Sequence, residues 1–171
     1  MTFQNPKLTF AALAIALICG PSFALPNDHQ QPISIEADKA FFDQKQGTAS
    51  YSGNVMVKQG SIVIEAQQLT IQTNPETGEF KALNAQGSPS KFSQQMDQAG
   101  NTMHANGDSL DYDVTTGQLE IHNNGYLQRG EDEISADYIH YLLEEGTFKA
   151  ENRGSGRVNM TLQPSLTDQI D

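Results

Sequence analysis

The sequence predicts an all-β fold, a bent sandwich or roll of about a dozen short strands. The prediction rests on alternation of apolar and polar residues, on the placing of glycines, and on a repeated unit. In the first unit, residues 33–60, Ile33, Ile35 and Ala37 alternate with polar residues, and glycines follow at Gly47 and Gly53. Strict alternation is typical of a half-buried strand, and glycine between such runs indicates a turn.

The unit recurs three more times with the same internal order. Each copy has a triplet that ends in a small residue, then a polar residue, two alternating apolar positions, a turn glycine and further alternation. The triplets are Ile35-Glu36-Ala37, Ile64-Glu65-Ala66, Ala105-Asn106-Gly107 and Ile134-Ser135-Ala136, followed by Asp38, Gln67, Asp108 and Asp137. The turn glycines are Gly47, Gly78, Gly117 and Gly146, and the second glycines are Gly53, Gly87, Gly125 and Gly154. Such a unit is too small to bury its own apolar face, so the copies are expected to pack together.

The apolar residues change parity inside each unit. Ile62, Ile64 and Ala66 share one parity, whereas Leu69 and Ile71 have the other. A uniform strand cannot place both sets on one face, because side chains alternate with period two. A bulge or corner after each small residue would return both sets to one side, so every unit is predicted to bend around a common interior.

The expected interior is apolar, and two interpretations of it stay open. It either fills a closed core or leaves part of itself open to an apolar ligand. After the turn glycines the alternating pairs are Ala49/Tyr51, Phe80/Ala82, Leu119/Ile121 and Phe148/Ala150. The interior candidates are Ile33, Ile35, Phe42, Val55, Val57, Ile62, Ile64, Leu69, Ile71, Phe80, Phe92, Leu110, Tyr112, Val114, Leu119, Ile121, Tyr141 and Leu143.

The chain is divided into a leader, one domain and a tail. Residues 1–24 carry Lys7, an apolar run over residues 8–19 and a small-x-small cleavage site ending at Ala24, which together predict a secretory signal peptide. Lipidation of Cys19 and a buried N-terminal helix are the alternatives. Residues 25–162 are predicted to form a single domain. Residues 163–171 are predicted to form a flexible tail.

Charge narrows the classes of partner. The chain has 21 acidic and 10 basic residues, a net charge of −11. Nucleic-acid binding depends on basic side chains that neutralise phosphates, so this balance argues against it. Removal of the leader takes away the basic Lys7 and no acidic residue.

Two segments depart from the repeat. A polar insert at residues 93–102 predicts a mobile loop. Residues 157–162, with Val158, Met160 and Leu162, predict a last strand. A roll of this kind leaves edge strands at both ends, and exposed edges pair with other chains.

Catalytic and metal sites find little support in the sequence. The four histidines, His29, His104, His122 and His140, lack partners at metal-ligand spacing. Asp111 and Asp113 flank Tyr112, so both face solvent if Tyr112 points inward. Ser88-Pro89-Ser90-Lys91 has a serine-x-x-lysine pattern, but that chemistry requires the serine at a helix start. We therefore predict no catalytic residue, no metal ligand and no cofactor.

The residues carry a family resemblance. Gln31-Pro32-Ile33-Ser34-Ile35-Glu36-Ala37-Asp38 resembles the opening strand of the periplasmic lipopolysaccharide transport protein A family, also called organic-solvent-tolerance-A-like. Tyr51-Ser52-Gly53-Asn54-Val55-Met56-Val57-Lys58-Gln59-Gly60-Ser61-Ile62 resembles its most recognisable segment, and Gly125-Tyr126-Leu127-Gln128 and Ile134-Ser135-Ala136-Asp137-Tyr138-Ile139-His140-Tyr141 resemble later ones. The resemblance covers residues 31–162.

The resemblance implies an open, twisted β-jellyroll of V-shaped cross-section, without catalysis, in the periplasm. It implies a bridge that carries lipopolysaccharide, with lipid A acyl chains in an apolar groove. The implied partners are further copies of the chain, end to end, and similar jellyroll domains of the inner-membrane exporter and the outer-membrane translocon. The groove residues expected on this basis are Ile33, Ile35, Phe42, Val57, Ile62, Ile64, Leu69, Phe80, Phe92, Leu110, Tyr112, Val114, Leu119, Ile121 and Tyr141. The expected edge-strand assembly residues are Ile33, Ile35, Ala37, Val158, Met160 and Leu162.

Two other functions stay open at this point. The first is a structural or adaptor roll that joins envelope proteins through its edges without carrying lipid. The second is an enzyme acting on envelope glycans, which would need an inward-facing pair of carboxylates.

Overall fold

The computed structural model describes residues 28–154 and 156–163, apart from the side chain of His29. The predicted leader and nearly all of the predicted tail lie outside these residues. A 3₁₀ turn at Asp28–Gln30 precedes ten strands. The strands are β1 (Ile33–Glu36), β2 (Lys39–Asp43), β3 (Thr48–Gln59), β4 (Ile62–Thr73), β5 (Phe80–Gln95), β6 (Thr102–Asp113), β7 (Gln118–Arg129), β8 (Asp132–Leu142), β9 (Thr147–Glu151) and β10 (Asn159–Thr161). The all-β prediction is confirmed.

All ten strands belong to one antiparallel sheet. Its order is β1-β3-β4-β5-β6-β7-β8-β10, and β2 also pairs with β3 while β9 also pairs with β8. The strands β1 and β2 therefore share one edge of the sheet, and β9 and β10 share the other. Strands β3 to β8 are each 11 to 16 residues long, because each of them contains two of the short strands that the sequence predicted.

The predicted bends are present at mid-length in the long strands. The pairing register shifts between Ser52 and Val55, between Glu65 and Gln68, and at matching places along the sheet. The corner predicted at Ala66-Gln67 is therefore confirmed, and β1 and β2 are separated at the equivalent place, Ala37-Asp38. The bends align across the sheet and divide it into two walls.

We define each wall by the turns at its far end. The first wall contains β2, β9 and the strand halves next to Gly47, Gly78, Gly117 and Gly146, which all have positive φ as turn glycines do. The second wall contains β1, β10 and the strand halves next to Gly60, residues 96–101 and Gly130. The side where the turns lie, opposite the bends, is called the mouth.

The second glycines do not close turns, contrary to the prediction. Gly53, Gly87 and Gly125 lie inside β3, β5 and β7 at the bend. The bend needs small residues because the chain folds back on itself there. A Cβ on Gly107 would lie 2.6 Å from Cγ2 of Ile121, which is closer than van der Waals contact allows.

The predicted mobile loop at residues 93–102 is shorter than expected, because both of its ends are strand. Ser93 and Gln95 belong to β5, and Gln95 pairs with Thr102 in β6. Only residues 96–101 form the connection, in which Asn101 donates its backbone N–H to Oδ1 of Asp97 at 3.0 Å. These polar residues continue the ladder and close a tight turn, so their polarity reflects exposure.

Candidate functional site

Three rows of side chains cross the inner face of the sheet from one edge to the other. The 42–148 row of the first wall pairs Phe42, Ala49, Ile71, Leu83, Tyr112, Leu119, Tyr141 and Phe148 in turn. The 40–150 row, beside it, pairs Ala40, Tyr51, Leu69, Ala85, Leu110, Ile121, Ile139 and Ala150. The 35–160 row of the second wall pairs Ile35, Val57, Ile64, Phe92, Ala105, Leu127, Ile134 and Met160. Their residue types make the inner face apolar along its whole length.

The rows are buried in the middle and open at their ends. Ile71, Leu119, Ile121, Ile139 and Tyr141 have no exposed surface. By contrast, Phe42 is 60% exposed at one edge, while Phe148 is 38% and Met160 44% exposed at the other. An exposed edge carrying large apolar side chains marks a surface that a partner can cover.

The two walls pack against each other inside the roll. Phe92 of the second wall meets Tyr112 of the first wall edge to face, with ring centroids 6.0 Å apart. Both side chains are almost fully buried. Any apolar ligand between the walls at this level must therefore separate these two rings.

Most of the predicted groove residues lie on this inner face. Those that are buried are Val57, Ile62, Ile64, Leu69, Phe92, Leu110, Tyr112, Leu119, Ile121 and Tyr141, together with the interior candidates Val55, Ile71 and Leu143. Ile33, Ile35 and Val114 are partly buried and pack against them. Of the predicted edge residues, Ala37, Val158, Met160 and Leu162 are exposed.

The predicted interior pair Phe80/Ala82 is divided between the two faces. Ala82 pairs with Gln72 on the outer face, and Leu83 and Ala85 are the buried residues of this strand half. Phe80 pairs with Thr73, which follows Ile71 by two residues and so shares its inward face, and Phe80 is 40% exposed at the mouth. The reason is a register shift between Phe80 and Ala82, at the end of the second unit's longer turn, which adds one residue to β5.

A carboxylate lies at the mouth. Asp28 is 6% exposed, and it is the only buried acidic side chain among the described residues. It accepts hydrogen bonds from the backbone N–H of Ser61 at 2.8 Å, from Oγ of Ser61 at 2.7 Å and from Nε2 of Gln94 at 2.9 Å. These donors belong to the second wall. Gln94 follows Phe92 by two residues on the same face of β5, and Phe92 contacts Tyr112 of the first wall. Asp28 thus lies at the mouth end of the second wall, on the mouth side of this contact. Burial and the charges of Asp28 and Asp113 raise the pKa of Tyr112.

A second polar contact crosses the mouth near the other edge. Arg129, at the end of β7 in the second wall, donates from Nη1 to the carbonyl oxygen of Gly146 at 3.0 Å. Gly146 lies in the turn between β8 and β9 of the first wall. Polar contacts therefore lie at the mouth at both of these positions, and the contact of Arg129 joins the two walls, while the interior is apolar.

Titratable side chains elsewhere lie mainly on the outer face. Asp111 points outward, as predicted, and its Oδ2 lies 3.1 Å from Nε2 of His122, which is 3.4 Å from Oε2 of Glu120. No inward-facing pair of carboxylates, and no group of three metal-type ligands, is found among the described residues. Ser88 lies in β5, so its surroundings do not include the helix start that serine-x-x-lysine chemistry needs.

Sequence reasoning missed the polar contacts that hold the bends. Asn54 donates to Oδ2 of Asp38 at 3.0 Å, and Asn124 donates to Oδ2 of Asp108 at 3.1 Å. The signal was present, because each asparagine follows its aspartate by 16 residues and the aspartates follow the small residue of the repeat. Asp28 carried no comparable signal, since it lies in a polar stretch before the first unit.

Comparison with known proteins gives a consistent result. Residues 34–147 match the family described as LptA/(LptD N-terminal domain) LPS transport protein. The chain is 31% identical to the lipopolysaccharide export system protein LptA of Haemophilus influenzae, covering 99% of this chain and 98% of that protein. It is 32% identical to LptA of Escherichia coli K12, covering 96% and 90%.

A solved structure has the same fold. The crystal structure of LptH from Pseudomonas aeruginosa, described as the LptA homologous periplasmic component of the lipopolysaccharide transport device, matches with a TM-score of 0.75 and 25% identity. The match covers 81% of this chain and all of that chain. In the part of the chain that the structure describes, no helix is long and apolar enough to cross a membrane. The chain is a member of the LptA/(LptD N-terminal domain) family of LPS transport proteins.

Proposed function

We propose that this protein binds lipopolysaccharide in the periplasm and passes it along a bridge of similar β-rolls, from an inner-membrane exporter to an outer-membrane translocon. The observation that carries the proposal is the unbroken apolar inner face, which reaches both open edges of the sheet. The relatives named as lipopolysaccharide export proteins, and the periplasmic LptH, support the same cargo and compartment.

The acyl chains of lipid A would lie between the walls, and its sugars and phosphates would stay outside. Each methylene group that leaves water contributes about 0.8 kcal/mol, so an acyl chain favours an apolar channel strongly. The net charge of −11 disfavours burial of phosphate groups beside the chain's own carboxylates. The residues proposed to meet acyl chains are those of the three rows, with Ile33, Ile62 and Val114.

Copies of the chain would stack end to end, because the rows of one copy can continue into the next. With the rows aligned, β9 lies antiparallel to β2 of the next copy, placing Phe148 beside Phe42 and Ala150 beside Ala40. In the second wall, β10 then lies antiparallel to β1, with Met160 beside Ile35. Both walls meet in register at once, which a single paired strand would not require.

The test uses a photo-crosslinking amino acid incorporated in living cells. We expect positions 92 and 112 to capture lipopolysaccharide and position 111, whose side chain faces outward, to capture none. Circular dichroism of each purified variant checks that the roll is folded. Equal capture at all three positions by folded variants would rule out a lipid-conducting interior.

A second candidate function is an adaptor roll that joins envelope proteins through its edges. The filled interior favours it, because the central residues of the rows leave no exposed surface. An adaptor predicts no crosslink to lipid at positions 92 and 112, while crosslinks to protein at positions 42 and 160 persist.

A further inference from the structure

The segment before β1 is fastened to the second wall at the mouth. Asp28 receives the three hydrogen bonds from Ser61 and Gln94, and the carbonyl oxygen of Asp28 accepts the backbone N–H of Gln31 at 3.0 Å. The carbonyl oxygen of Gln31 accepts Nε2 of Gln59 at 3.3 Å. Residues 28–31 therefore form a short compact turn that is tied to β3, β5 and the connection between β3 and β4.

The fit of this segment is close. Gly60 has φ of +58°, and a Cβ placed on it would collide with the carboxylate of Asp28. Gly60 therefore allows both the positive φ of the turn and the close approach of the Asp28 carboxylate. Gln94, which donates to Asp28, follows Phe92 by two residues in β5, and the ring of Phe92 contacts Tyr112 of the first wall. The segment therefore lies at the mouth above the contact between Phe92 and Tyr112.

We propose that residues 28–31 act as a strap that closes the mouth over Tyr112, and that Asp28 leaves Ser61 and Gln94 when an acyl chain enters between the walls. The inference rests on the proposed function, because it names the gate of the same interior.

The chemistry of the contact suits a gate. Asp28 is held by polar donors, and water can replace them when the strap lifts, whereas the apolar contacts of the rows have no such substitute. Oε1 of Gln94 is buried without a hydrogen-bond partner among the described residues, so part of the site gains hydrogen bonds on opening. The strap is thus a contact at the mouth that opens at low cost.

The experiment compares the full mature chain with Asp28→Ala, Ser61→Ala and the control Asp43→Ala. Asp43 also accepts two backbone N–H groups, from Lys45 and Gln46, but it is the last residue of β2 in the first wall and has no contact with the strap. Loading is followed with purified lipopolysaccharide, and hydrogen exchange is followed at the Ser61 amide, which Asp28 protects.

We expect lipopolysaccharide to speed exchange at the Ser61 amide of the unmodified chain by about tenfold, as loss of charge-assisted hydrogen bonds implies. Asp28→Ala should load about tenfold faster, Ser61→Ala should lie between, and Asp43→Ala should match the unmodified chain. Unfolding curves check that every variant is folded.

Two results would overturn the inference in distinguishable ways. If lipopolysaccharide binds saturably but Ser61 exchange and the loading rate of Asp28→Ala are unchanged, the strap is structural and the proposed function stands. If neither the unmodified chain nor any folded variant binds lipopolysaccharide, the proposed function fails and the gate fails with it.

Discussion

The ring of Phe92 meets Tyr112 edge-on, at an interplanar angle of 62°. Phe92 belongs to the second wall and Tyr112 to the first, so this contact joins the two halves of the roll. Asp28 lies on the mouth side of Tyr112, where its charge helps to raise the pKa of that phenol. Tyr112 therefore packs against Phe92 in the interior and is also affected by the charge of Asp28 at the mouth.

Truncation of the aromatic pair should cost stability. Phe92 is 1% exposed, and Phe92→Ala leaves a cavity between the walls, so we expect the free energy of unfolding to fall by about 3–5 kcal/mol. Denaturant unfolding measures the change. The control is Phe41→Ala, which removes the same ring from a side chain that is 69% exposed, and it should change the free energy by about 0.5 kcal/mol or less. Similar losses for both variants would contradict the burial of Phe92.

The contrast between Phe92 and Ala82 shows how far the sequence predicts this fold. Parity along the strands identified Phe92, the bends and most of the rows, because one buried face imposes period two on every strand. It failed at Ala82, where a register shift next to a long turn reverses the face. The strap was also missed, because Asp28 is placed by tertiary hydrogen bonds that no local pattern encodes.

Crowding at the bend can be tested at Gly107. A Cβ there would lie 2.6 Å from Ile121 and 3.2 Å from the carbonyl oxygen of His122, so Gly107→Ala should destabilise the roll by about 1–3 kcal/mol through overpacking. Gly154→Ala is the matched control, since its Cβ would lie 3.9 Å from the nearest atom, an ordinary contact. Thermal unfolding of the two variants side by side distinguishes crowding from a general effect of losing glycine.

The backbone at Asn124 gives a separate test of the bend. Its φ is +52°, and its side chain donates to Asp108. Alanine loses both the hydrogen bond and the tolerance of positive φ, whereas glycine loses only the hydrogen bond. We therefore expect Asn124→Ala to be less stable than Asn124→Gly by about 1 kcal/mol. Equal unfolding midpoints for these two variants would show that the left-handed backbone carries no strain.

The raised pKa of Tyr112 predicts that the folded protein loses stability at high pH. Its pKa is raised in the folded protein by burial and by Asp28 and Asp113, so the unfolded chain ionises first, near pH 10. The stabilising contribution is complete below that pH and is lost as the pH rises toward the folded pKa. The free energy of unfolding should fall by up to about 1.4 kcal/mol per pH unit above 10 from this group.

Tyr112→Phe is the comparison for this pH dependence. The two proteins share every other tyrosine, so the difference between their stability curves reports Tyr112 alone. We expect the curve of the variant to be shallower above pH 10. Parallel curves would show that the phenol ionises equally well in the folded roll.

Assembly through aligned rows makes the last prediction. Met160 faces inward from β10 and would cover Ile35 of the next copy, so Met160→Asp should weaken self-association about tenfold in sedimentation velocity. Thr161→Asp introduces the same charge on the outer face of the same strand and should have a much smaller effect.

The aligned register also places Glu151 opposite Lys39 of the next copy on the outer face of the first wall. Because an exposed ion pair contributes only about 0.2–1 kcal/mol, Lys39→Glu and Glu151→Lys should each weaken association about twofold at low salt, and the double variant should restore it. Equal effects of the changes at Met160 and Thr161, or a double variant weaker than either single one, would show that the copies meet in another register.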